Sequence, residues 1–122
     1  MQLVQVAQHA DDLDRAAAFY SDLLQTPPTG RFDPPGLLFF DLDGVRLLLE
    51  TGAPPAVLYL GVEDLHASVE NLRDRGVSIR TEPHVIFTHE DNALGPAGTQ
   101  EWMAFITDSE GNTVGLVSRV HP

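Results

Sequence analysis

The chain carries one unit twice. Residues 3–20 read as a short strand that runs into a helix begun at an aspartate, and residues 56–72 repeat that shape. Asp64-Leu65 stands in the second copy where Asp12-Leu13 stands in the first, 52 positions on and near half of the 122-residue chain. An internal duplication follows, and it limits the chain to folds built from two similar halves.

Each half can be filled in from local chemistry. Residues 3–9 are mostly apolar and bounded by Asp11-Asp12, which suits a strand. Side chains alternate across a strand, so Val4, Val6 and Gln8 share one face and Gln5, Ala7 and His9 the other. Asp11 or Asp12 can cap a helix by accepting its free amide hydrogens. Leu13, Ala16, Ala17, Tyr20, Leu23 and Leu24 then form one apolar stripe at helical spacing. Pro27-Pro28 stops that helix, because proline cannot continue the ladder. Residues 31–35 read as a proline-punctuated connection or short edge strand. Residues 36–42 and 45–51 are apolar runs around Asp43-Gly44, a tight-hairpin pair.

The second half repeats the order: a strand over 56–62, then a helix capped by Asp64 and ended at Gly76. A strand over 77–87 is interrupted by Pro83, which marks it as an edge or bulged strand. Residues 88–99 read as a long exposed loop and a candidate lid. Strands over 100–107 and 113–118 form the last hairpin. One domain spans 1–122, with module one at about 1–52 and module two at about 56–120.

Charge and composition then exclude several classes. The chain has no cysteine, which removes disulfide frameworks and thiolate chemistry. Its formal net charge of −11 repels nucleic acid and anionic membranes and suits a cationic small molecule. No Lys or Arg precedes Arg15, no long apolar run opens the chain and no segment is long enough to span a membrane. A cytoplasmic protein without a signal peptide is therefore expected. There is no phosphate-binding glycine loop, nucleophile elbow or basic patch.

The doubled order resembles the vicinal oxygen chelate superfamily, the glyoxalase, bleomycin-resistance and dioxygenase proteins. The residues that carry the likeness are Asp12-Leu13 with Ala18-Phe19-Tyr20, Asp64-Leu65, Arg75-Gly76-Val77 and the run from Phe105 to Asn112. Glu82-Pro83-His84 and Trp102-Met103-Ala104-Phe105 look like one uncharacterised branch. The resemblance implies an α+β fold: two βαβββ modules forming a cupped mixed sheet around a cavity, with helices outside. It also implies a homodimer.

In metal-using members of this superfamily, one His, Gln or Glu comes from the first and last strand of each module. Here those four positions fall on Gln5, Leu48, Val57 and Gly115. Only Gln5 can ligate a metal, so the usual metal site and any cofactor are expected to be absent. The alternative is a divalent ion in a non-standard site, with Gln5, His9 and Glu50 gathered on one strand face and helped by His84 or Glu101.

The candidate ligand-binding residues are Gln5, His9, Arg46, Glu50, Tyr59, His84 and Trp102. Arg46 can pair with Glu50 or grip an anionic group through its guanidinium fork. Tyr59 can stack on a ligand or simply pack in the core. His84 and Glu101 are the candidate catalytic residues, because a carboxylate beside an imidazole orients it and raises its basicity. Trp102 would supply a wall of the pocket. His89 reads as a mobile-loop residue and His66 as exposed.

Two functions stay open. One is a small-molecule-binding module without a metal. The other is a metal-dependent lyase, dioxygenase or isomerase built around Gln5 and Glu50. A metal-free enzyme using His84 and Glu101 is a weaker third.

Overall fold

The computed structural model describes residues 1–122, which divide into two compact units. The first is Met1–Ala56 with Ser109–Asn112, and the second is Val57–Asp108 with Thr113–Pro122. Each unit holds one helix and one four-stranded mixed sheet, so the duplication read from the repeat is present as two βαβββ modules.

In the first unit the elements are β1 (Gln5–His9), α1 (Leu13–Leu24), β2 (Gly30–Phe32), β3 (Leu37–Leu42) and β4 (Val45–Glu50), with sheet order β1-β4-β3-β2. Asp12 caps α1 by accepting from Arg15 N at 3.0 Å, which satisfies an amide the helix leaves free. The helix stops at Leu24, and Gln25 takes a left-handed conformation. Asp43 and Gly44 both have positive φ, as a two-residue hairpin turn requires. Ala16 and Tyr20 of α1 are fully buried, as are Leu38, Phe40 and Leu49 of β3 and β4. Each of the leucine and phenylalanine side chains contributes about 1.5–3 kcal/mol on burial.

The second unit comprises β5 (Leu58–Gly61), α2 (Leu65–Asp74), β6 (Ile79–Thr88), β7 (Gln100–Thr107) and β8 (Thr113–Val120), with sheet order β5-β8-β7-β6. Asp64 caps α2 by accepting from Ala67 N at 3.1 Å. Leu65, Val69 and Leu72 bury the stripe of α2, and Ala104, Ile106, Val114 and Leu116 are the buried residues of β7 and β8. β6 is an edge strand whose register to β7 shifts three times, between Ile79 and Thr81, across Pro83 between Thr81 and His84, and between Val85 and Phe87. In both units the first strand runs parallel to the last: β1 with β4, and β5 with β8. No helix is long and apolar enough to cross a membrane.

Alternation leaves each sheet one face without a helix. On the first sheet that face carries Gln5 and His9 of β1, Phe39 of β3, and Arg46, Leu48 and Glu50 of β4. On the second it carries Tyr59, Glu101, Met103, Phe105, Gly115, Val117 and Arg119.

Candidate functional site

The helix-free face of the first sheet separates the residues expected to gather on an ion. The parallel register sets Gln5 beside Arg46 and His9 beside Glu50. Gln5 and His9 are four residues apart on one strand, a span of about 13 Å. Ligands to one ion must each approach it within about 2–2.6 Å, so these two cannot share it. Nor does any group of three His, Cys, Asp or Glu side chains come together in a geometry that could hold a metal.

Gln5 and His9 have other partners. Gln5 Oε1 accepts from Arg46 Nε at 2.9 Å, and the Arg46 guanidinium lies 6.0 Å from the centre of the Phe39 ring. Arg46 therefore pairs with Gln5, and of its two candidate roles the ion pair with Glu50 is not formed. Both ring nitrogens of His9 are bonded: Nδ1 to Ala53 O at 2.9 Å and Nε2 to Asp11 Oδ1 at 2.8 Å. Both partners are acceptors, so the two bonds form together when the ring is protonated. The Asp11 hydrogen bond accordingly raises the His9 pKa. His9 ties the strand end to the loop after β4, and its ring has no nitrogen left for a metal.

Beside it lies a residue that sequence reasoning passed over. Gln8 is fully buried on the opposite, helix-side face. Its Nε2 donates to Ala56 O at 2.6 Å, and its Oε1 accepts from Ala56 N and His9 N, each at 2.9 Å. The turn Ser109–Asn112 belongs to this unit and bonds to it densely. Glu110 accepts from Asp12 N at 2.9 Å and from Arg15 Nε at 2.7 Å, and Asn112 Nδ2 donates to His9 O at 2.8 Å. Burial would raise the Glu110 pKa, but the hydrogen bonds from Arg15, Asp12 N and Ser109 bring it down to about 2.

The second unit holds a cleft of about 510 Å³ lined by Tyr59, Glu63, Glu101, Met103, Val117 and Arg119 among others. At one side of it Tyr59 lies across Gly115 and meets Phe105 edge to face, with ring centres 6.0 Å apart. At another side Glu101 is 7% exposed. Its Oε1 accepts from His89 Nε2 at 3.0 Å and from Arg119 Nε at 3.0 Å. Burial pushes the Glu101 pKa up, but Arg119 and His89 outweigh it and the net direction is down. The carboxylate is thus ionised at neutral pH and a weak base.

This corrects the expected acid-base pair. Glu101 bonds His89, not His84, whose Nδ1 bonds Glu82 O at 2.9 Å on the exposed edge strand. His89 is 3% exposed, not a mobile-loop residue. The β6–β7 register explains it: Phe87 opposes Glu101, and His89, two residues on, falls on the same face. The loop after β6 is closed on itself. His89 N donates to Thr99 O, Gly98 N to His89 O and Thr99 Oγ1 to Pro96 O. Gly95 presses against the buried pair: a Cβ there would stand 2.7 Å from His89 Cε1 and 2.9 Å from Arg119 Nε.

Trp102 is not a wall of this cleft. It follows Glu101 on the strand and so points to the helix side, 5.1 Å from the His66 ring of α2. Its Nε1 is buried without a hydrogen-bond partner.

Comparison with known proteins agrees with this architecture. The chain matches the family described as "Glyoxalase/Bleomycin resistance protein/Dioxygenase superfamily" over residues 2–116. It is 32% identical to a glyoxylase-like domain-containing protein of Didymella fabae, over 90% of this chain and 88% of that one. Its fold is similar to a lactoylglutathione lyase from Agrobacterium tumefaciens (TM-score 0.71, 20% identity, 95% of this chain and 92% of that one). It is similar also to a glyoxalase/bleomycin resistance protein/dioxygenase from Alicyclobacillus acidocaldarius (TM-score 0.67, 18% identity, 95% and 89%). The chain belongs to the glyoxalase/bleomycin resistance protein/dioxygenase superfamily.

Proposed function

We propose that this chain binds a small molecule on the helix-free face of its second sheet and does so without the four-ligand metal site used by other members. The observation that carries the reading is the state of the four ligand positions. Leu48, Val57 and Gly115 offer no ligating side chain, and the Tyr59 ring fills the space a side chain at Gly115 would need. At the fourth, Gln5 has given its oxygen to a guanidinium.

The cleft supports binding in its own right. Its volume of about 510 Å³ falls within the range of small-molecule sites, and it sets apolar side chains beside one fixed carboxylate. Glu101 suits binding better than proton abstraction, because a general base works best with a pKa near neutrality and that of Glu101 is lowered. No observation favours the metal-dependent alternative around Gln5 and Glu50.

An amide-resolved NMR screen of the full chain against small aromatic and aliphatic compounds tests the reading. Binders should move the signals of Tyr59, Glu101 and Met103. If all binders moved signals outside the cleft, the assignment of the site would fall.

A further inference from the structure

We infer that Glu101 is the anchor for a ligand bearing a primary ammonium group, whose apolar body lies against Tyr59 and Met103. The inference rests on the small-molecule reading above and names the class of ligand.

The geometry of the carboxylate carries it. Both donors that reach Glu101, His89 Nε2 and Arg119 Nε, converge on the same oxygen, Oε1. Oε2 bonds no protein group. Oε2 is not among the enclosed atoms that lack a partner, so it meets solvent through the cleft, and a ligand donor there would take the place of water on an acceptor the protein leaves open. Glu101 lines the cleft, and the cleft is where such a donor would enter.

The carboxylate is also held in place from behind. His89 is buried and donates from Nε2, which fixes the tautomer opposite a carboxylate. The closed loop after β6 places Gly95 against His89 and Arg119, and the Cβ distances show that no other residue fits there without displacing them. A preoriented acceptor spares the ligand an ordering cost on binding.

The charge of the cleft selects the donor. Its ionisable lining is Glu63, Glu101 and Arg119, with no lysine, so the excess is negative. The Arg119 side chain is 48% exposed, and water screens much of its charge. An anionic ligand would meet two carboxylates. A neutral hydroxyl would bond Oε2 but gain no charge assistance, whereas an ammonium N–H gains both. Tyr59, Met103 and Val117 then offer apolar surface for the rest of the molecule.

The test is an NMR titration of the full chain with 2-phenylethylammonium, its neutral counterpart 2-phenylethanol, and the N-trimethyl form, which has no N–H to donate. The expected result is that the primary ammonium shifts the amides of Tyr59, Glu101 and Arg119 and binds at least tenfold tighter than the other two. Glu101→Gln keeps an acceptor for His89 and Arg119 but removes the charge, and it should erase that tenfold preference. Equal binding of ammonium and alcohol to the unaltered chain would overturn the ammonium anchor while leaving the metal-free binding reading in place. So would an ammonium affinity unmoved by Glu101→Gln, or no shift in the cleft with any of the three. Stoichiometric metal in the purified protein would instead overturn the reading on which the anchor rests.

Discussion

The Tyr59 ring lies across Gly115, so close that a Cβ on Gly115 would stand 2.7 Å from Tyr59 Cδ1. The two residues are cross-strand partners in the parallel β5–β8 pair. Glycine therefore does more here than relax the backbone: its missing side chain is the space the ring occupies. Gly115 is also the position where the family resemblance leads one to expect a ligating Glu.

Gly115→Ala should thus be felt through Tyr59. The ring is half exposed and can swing, so the cost falls at the low end of overpacking, about 1 kcal/mol. In a Tyr59→Ala background the same change should cost close to nothing. Urea unfolding of the four proteins in a double-mutant cycle measures the coupling. Independent effects of the two changes would refute the contact.

Gln8→Leu should be a severe core change although it replaces a polar residue by an apolar one. It strands Ala56 N and O and His9 N, three backbone groups that Gln8 now satisfies. Unpaired groups of this kind cost about 1–3 kcal/mol each where buried, so a loss of about 2–4 kcal/mol is expected for this partly buried set. Chemical denaturation gives the value directly, and a change below about 0.5 kcal/mol would show that water replaces the amide at little cost.

Much of the fold was legible because the local signals agree with one another. The aspartate caps, the Asp43-Gly44 hairpin and the stripes of α1 and α2 each follow from residue chemistry at fixed spacing. Partners across strands were not legible. His84 pairs with Met103, and the irregularity between Val85 and Phe87 sets Phe87 opposite Glu101, so that His89, two residues on, is the histidine that reaches the carboxylate. The side of Trp102 could have been read from alternation, because a residue next to Glu101 must face the other way. Gln8 gave no such hint, since its bonds run to the backbone of Ala56, 48 positions later.

Acid should weaken the first unit through Glu110. Its folded pKa is lowered from 4.5 to about 2. The stability this provides is complete above about pH 5 and is lost as pH falls from there towards 2. Glu110 is buried but Arg15 is half exposed, so the contribution is discounted for screening to roughly 1–2 kcal/mol. Glu110→Gln should lose that amount at neutral pH and show a flatter acid limb in melting temperature. An unchanged acid limb would mean that other carboxylates carry it.

His9 gives the opposite slope. Its folded pKa is raised above 6.5, first by the Asp11 hydrogen bond. Its contribution is therefore complete below about pH 6 and declines as pH rises through the raised value. Between pH 6 and 8 the unaltered chain should lose stability that His9→Asn does not lose. Parallel curves for the two proteins over that range would contradict the doubly donating imidazolium.

The central claim is that this superfamily member binds its ligand without a metal, and the metal content of the purified protein tests it most directly. Protein prepared without chelator and analysed for nickel, zinc, manganese, iron and cobalt should carry far less than one equivalent of any of them. One equivalent of a divalent metal, lost on Gln5→Ala or Glu50→Ala, would contradict the account.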